Sequence, residues 1–116
     1  MPLIPVSDGP VPTFVAPSAG ADTFENDGTP YILIVVPGPG VRTLTVRNPH
    51  AGATDFVAVH APGSSTTARF DPLWWNDPKT GRVEFEFDDP IGIAIAVIRT
   101  SVIQADPSAP PAPGLF

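Results

Sequence analysis

The sequence predicts an all-β domain, an antiparallel β-sandwich of jelly-roll or immunoglobulin-like type or a related barrel, with extended proline-rich arms at both ends. Three observations carry that prediction. First, 17 prolines and 10 glycines are spread through 116 residues, and the longest proline-free run is 91–106. Helices of ten or more residues therefore have no room, which excludes a helical bundle and any α/β fold. Second, the apolar part of that run, Ile91-Gly92-Ile93-Ala94-Ile95-Ala96-Val97-Ile98, is dominated by β-branched residues. Third, hydrophobic residues make up 42% of the chain, enough for one core and too many for a chain disordered throughout.

Taken in order, residues 1–21 read as an extended N-terminal arm. Pro2, Pro5, Pro10, Pro12 and Pro17 alternate there with Leu3, Ile4, Val6, Val11, Phe14 and Val15, a pattern that favours a polyproline-like path with apolar side chains to offer. Residues 13–16 are a candidate edge strand. The sandwich domain is expected over 22–104. Residues 31–36 are unbroken, apolar and largely β-branched, the pattern of a central strand buried on both faces. Pro37-Gly38-Pro39-Gly40 is a turn. Residues 41–47 alternate, with Leu44 and Val46 opposite Thr43, Thr45 and Arg47. After a loop at 48–53, residues 54–60 form a strand with Val57 and Val59 on one face and Phe56, Ala58 and His60 on the other. A turn at Pro62-Gly63 leads to a short strand over 66–70 and a long loop over 71–81 that carries Trp74 and Trp75. Residues 82–87 alternate cleanly, with Val83, Phe85 and Phe87 inward. Asp88-Asp89-Pro90 turns the chain into a last strand over 93–99. Turn signals this closely spaced predict sequential hairpins. Residues 105–116 form the second arm and end in Leu115-Phe116.

Charge narrows the function classes. Twelve acids against six bases give −6, and the bases, Lys79 and five scattered arginines, make no basic face, so direct nucleic-acid binding is not expected. The chain has no cysteine, which excludes disulfides, thiolate metal sites and cysteine nucleophiles. No basic n-region stands before Arg42 and no apolar run approaches a membrane span, so neither a signal peptide nor a membrane-spanning segment is expected.

The polar residues give no catalytic constellation. His50 and His60 fall short of the ligand count for zinc. The acidic turns at 22–28, 76–81 and Asp88-Asp89 contain oxygen ligands but no alternating ladder of the calcium-loop kind; Asn, Asp and Gly are also ordinary turn residues. No catalytic residue, metal or cofactor is therefore assigned, and no enzyme is expected. Trp74-Trp75 stands out: adjacent rings point apart, so one can enter the core while the other meets a partner.

Two stretches carry a family resemblance. Asp22-Thr23-Phe24-Glu25-Asn26-Asp27-Gly28-Thr29-Pro30-Tyr31 is followed by Phe70-Asp71-Pro72, Trp75-Asn76-Asp77, Gly81-Arg82-Val83 and the Ala/Ile-rich Ile93-Ala94-Ile95-Ala96-Val97-Ile98-Arg99. In order and spacing this resembles small β-sandwich structural proteins of tailed phages and prophages, capsid decoration proteins among them; the proline-rich arms depart from that pattern. The resemblance implies a virion protein on the capsid surface, oligomeric there, with the major capsid protein and neighbouring copies of itself as partners. Apolar side chains on segments that cannot build a core are the expected contacts: Leu3, Ile4, Val6, Trp74, Leu115 and Phe116. An arm of ten extended residues reaches on the order of 30 Å, far enough to meet the next subunit. Two other readings remain at this point: a tail or head–tail connector component, and a glycan- or cell-surface-binding module in which Trp74 or Trp75 stacks on a sugar.

Overall fold

A computed structural model describes residues 2–8 and 12–99. The fold is nearly all β: β1 (Leu3–Ile4), β2 (Val6–Ser7), β3 (Asp22–Glu25), β4 (Pro30–Val35), β5 (Arg42–Val46), β6 (Phe56–His60), β7 (Ser65–Ala68), the single-turn helix α1 (Pro72–Trp75), β8 (Arg82–Phe87) and β9 (Ala94–Arg99). One sheet has the order β1-β3-β8-β5-β6 and the other β2-β9-β4-β7. Apolar residues of both sheets form one core: Phe24, Leu44, Val46, Val83, Phe85 and Phe87 from the first, Ile32, Ile34, Ile95 and Val97 from the second. The arrangement is compatible with a β-sandwich.

The alternation expected over residues 82–87 is realised in β8, where Val83, Phe85 and Phe87 are buried. The strand expected over 31–36 is β4, central between β9 and β7. Only one of its faces is fully buried, however: Ile32 and Ile34 are core residues, while Tyr31, Leu33 and Val35 are half-exposed. Burial on both faces occurs instead in β9, along Ile95-Ala96-Val97-Ile98.

Three expectations are corrected. The sheets are mixed, because β1 pairs parallel to β3 and β2 parallel to β9. The strands are not mainly sequential hairpins; among the described residues only β5 and β6 pair as consecutive strands, and β3, β4 and β5 all pair with distant partners. A period-2 pattern fixes which face a side chain takes and leaves the neighbouring strand open.

The third correction concerns residues 2–8 of the expected arm, which lie along the sheets. Leu3–Ile4 borders β3, the chain crosses at Pro5, and Val6–Ser7 borders β9. The backbone N–H and hydroxyl of Thr23 both donate to the Pro2 carbonyl, at 2.9 and 3.1 Å. Ile4 is 5% exposed, within the core. Proline at Pro2 and Pro5 is tolerated because these are edge positions. Further on, Val15 exchanges backbone bonds with Ile95 in an antiparallel bridge, where a short edge strand is expected.

Candidate functional site

The site lies at the end of the molecule where β3 leads to β4, β5 to β6, and β7 to β8. It is built around Asn26. This residue is 5% exposed and follows β3 in the turn Asn26-Asp27-Gly28. Its side-chain amide donates to the Phe70 carbonyl at 2.9 Å and to the Asn76 Oδ1 at 2.9 Å. Its own Oδ1 accepts from the Gly28 N–H at 3.0 Å, and the Asn76 amide returns a bond to the Asn26 carbonyl. Two turns far apart in sequence therefore meet through a reciprocal asparagine pair. Gly28 has φ +94°, and a Cβ there would come within 3.3 Å of the Pro72 ring. Both facts favour glycine, since an L side chain would be strained and crowded.

This frame seats α1. Asp71 is its N-cap, accepting from the Leu73 N–H at 2.9 Å, and Pro72 occupies the first turn where its missing N–H costs nothing. Asn76 closes the turn by donating its N–H to the Pro72 carbonyl at 3.2 Å. The two tryptophans then diverge. Trp75 packs edge-on against Phe70 and Phe56, with centroids 5.9 and 6.3 Å apart, and through Phe70 joins Phe24 of the core. Trp74 turns outward and is 56% exposed, beside Leu73 at 72%.

Trp74 is nevertheless held. His50, in the loop between β5 and β6, meets its ring edge-on at 5.8 Å and bonds the Leu73 carbonyl through Nε2 at 2.8 Å. A carbonyl only accepts, so Nε2 carries the proton. The His50 loop is itself braced: Asn48 Oδ1 accepts from the His50 N–H, Asp55 accepts from the Asn48 N–H, and the Ala53 N–H donates to the His50 carbonyl. The result is an apolar platform of Leu73 and Trp74 on a fixed backbone. The loop that carries His50 also lines a shallow polar groove, through Asn48 and Pro49 together with Arg47, Asp77, Lys79 and Glu84, and Arg47 and Glu84 form an ion pair there at 3.2 Å.

The acidic turns use their oxygens locally. Asp27 accepts from the Thr29 N–H and hydroxyl, Asp77 from the Lys79 N–H, and Asp89 from the Ile91 N–H. The Thr29 hydroxyl, the Thr29 N–H and the nearby Arg99 together hold the Asp27 carboxyl below its ordinary value. Arg99, the last residue of β9, ties Asp27 to Asp8 and to the Thr29 hydroxyl. Among the described residues no three of His, Asp or Glu come together as a metal site. His60 lies apart from His50, buried at the far end of β6 against the Thr66 hydroxyl. No described helix is long and apolar enough to cross a membrane, a statement that leaves β-barrel spans aside.

The expected contact residues do not share one face. Trp74 is on the platform; Leu3 is 45% exposed on the β1 edge; Val6 is half-buried against the core; and Ile4 is inside it, unavailable to a neighbour. Leu115 and Phe116, with the whole arm 105–116, lie outside the described residues. Sequence reasoning missed Leu73 and His50 as parts of the site. Leu73 had a usable signal, an apolar residue right after an Asp-Pro helix start. His50 had none, because its contact with residues 73 and 74 is long-range.

The chain matches no family model, no curated protein and no solved structure.

Proposed function

We propose that the protein is a virion structural protein, a capsid decoration or cement protein that docks on the outer face of a phage head. The Leu73–Trp74 platform is the observation that carries this reading. It places two large apolar side chains in solvent on a backbone fixed by the N-cap, the asparagine pair and His50, so little ordering entropy is lost on contact. Aromatic anchors on rigid supports are the usual centres of protein interfaces. Each contact is small, and repetition over a lattice makes the total large. The fold is compatible with that reading: most strand neighbours come from distant parts of the chain, and two-sheet β domains with such long-range pairing occur in capsid proteins. The sequence resemblance points the same way. The major capsid protein is the partner, with neighbouring copies of the chain beside it.

Co-sedimentation with phage heads that lack the protein tests the reading. Saturable binding in high copy number is expected. Binding of only a few copies at the portal or tail would instead make it a connector or tail component.

A second reading has one observation in its favour: the Trp74 ring is exposed, a stacking face of the kind a sugar needs, and the loop that carries its neighbour His50 also lines a polar groove through Asn48 and Pro49. Quenching of tryptophan fluorescence by a glycan panel in the absence of heads would favour it over capsid docking.

A further inference from the structure

The outer edge of β6 is built to receive another strand. Natural sheet edges are usually short, charged or interrupted by proline. Two of the four edges here are managed in that way, since β1 and β2 have two residues each and lie among Pro2 and Pro5; the third, β7, is the polar Ser-Thr-Thr-Ala. In contrast, β6 is Phe-Val-Ala-Val-His, five residues with no acid, lysine, arginine or proline. Val57 and Val59 are 59% and 69% exposed on it.

The hydrogen-bond polarity of β5 shows where the backbone of β6 points. The Thr43 carbonyl accepts from Asp88 and the Arg47 N–H donates to Glu84, so Thr43, Thr45 and Arg47 face β8. The alternate residues Arg42, Leu44 and Val46 must then face β6, where their partners are His60, Ala58 and Phe56. Those three residues direct their main-chain groups at β5. Val57 and Val59 therefore turn their N–H and C=O groups to the open edge, where no strand of the described residues lies.

We infer that this edge pairs with β6 of a second copy of the chain, antiparallel about a two-fold axis through Ala58. The strand is nearly self-complementary about that residue. The axis sets Val57 opposite Val59 of the second copy, so the outward-directed backbone groups of the two strands meet in register and each such pair exchanges both bonds. The valines of both copies then share one face and cover one another. Charge fits as well: although the chain carries −6, the contact strand has no acid. Asp55, just outside it, falls opposite Ala61 rather than a second carboxylate and is already bonded to the Asn48 N–H. This contact does not depend on capsid docking, since it uses a different edge from the Leu73–Trp74 platform.

Sedimentation equilibrium of the full chain over a concentration series tests it. The wild type is expected to dimerise reversibly. Val57→Lys with Val59→Lys places like charges opposite each other and should weaken dimerisation by at least roughly tenfold. Val57→Glu with Val59→Glu should do the same, and mixing the lysine and glutamate variants should restore dimers as a heterodimer. Both sites are exposed, so circular dichroism and Tm should stay close to wild type. If the lysine variant does not fold, Val57→Thr with Val59→Thr is judged by the same weakening. A wild type that stays monomeric to its solubility limit, or a folded charged variant that dimerises as well as wild type, overturns the inference.

Discussion

The two ends of the fold both expose large apolar residues, yet they are built differently. At one end Leu73 and Trp74 stand on a helical turn backed by an aromatic stack and by the buried Asn26. At the other end Val41 and Ile91 are 54% and 77% exposed on turns that flank Pro37-Gly38-Pro39-Gly40 and Asp88-Asp89-Pro90. Those turns are tied by Arg42, which donates to the Ile91 carbonyl at 3.1 Å and lies 3.8 Å from Asp89. Asp88 adds a bond from the Thr43 N–H at 2.9 Å. Exposure alone does not distinguish the ends; the depth of support does. An apolar side chain on a backbone that is already fixed loses little entropy on meeting a partner, which singles out the end carrying Trp74.

The largest expected effect breaks that support. Asn26→Ala leaves the Phe70 carbonyl, the Gly28 N–H and the Asn76 Oδ1 without the Asn26 side chain as partner, and should cost about 3 kcal/mol in chemical denaturation. Hydrogen exchange should rise first around α1 and only later in β8. Gly28→Ala strains the same end, through its positive φ and the Pro72 ring, and should cost about 1–2 kcal/mol. Arg42→Met keeps the buried stem but loses the bond to Ile91, and should cost about 1 kcal/mol while loosening only the opposite end. If Arg42→Met also speeds exchange around α1, the two ends are not independent.

Acid should act on both ends together. Asp27 at one end and Asp88 at the other are held below the ordinary 3.8, chiefly by the Thr29 hydroxyl and the Thr43 N–H respectively. A carboxyl lowered in the folded state contributes stability above pH 3.8 that disappears as pH falls through its folded value. Stability should therefore decline on acidification below that point, and Asp27→Asn should flatten part of the decline. A variant whose pH profile matched wild type would remove Asp27 from the account.

Much of the β fold is legible in the sequence. The alternation of Val83, Phe85 and Phe87 locates β8 without error, and the apolar run ending at Val36 locates β4. Pairing is not legible, because periodicity does not choose a neighbour: that β8 lies between β3 and β5 depends on the whole fold. Residues 3–7 escape notice as strands because each is two residues long, below the length at which alternation can be seen. At the site, the divergence of Trp74 and Trp75 follows from their adjacency, and Asp71-Pro72 is a readable helix start. The link between Asn26 and Asn76 is not readable, since both look like ordinary turn residues until the fold brings them together.

The smallest expected effect on stability is also the most informative about function. Trp74→Ala removes an outward ring and should change stability by less than about 0.5 kcal/mol. Co-sedimentation of this variant and of wild type with heads lacking the protein measures the central claim directly. Saturable binding by wild type that is lost or greatly weakened in a normally folded Trp74→Ala is the predicted result. Equal binding by the two proteins would contradict it.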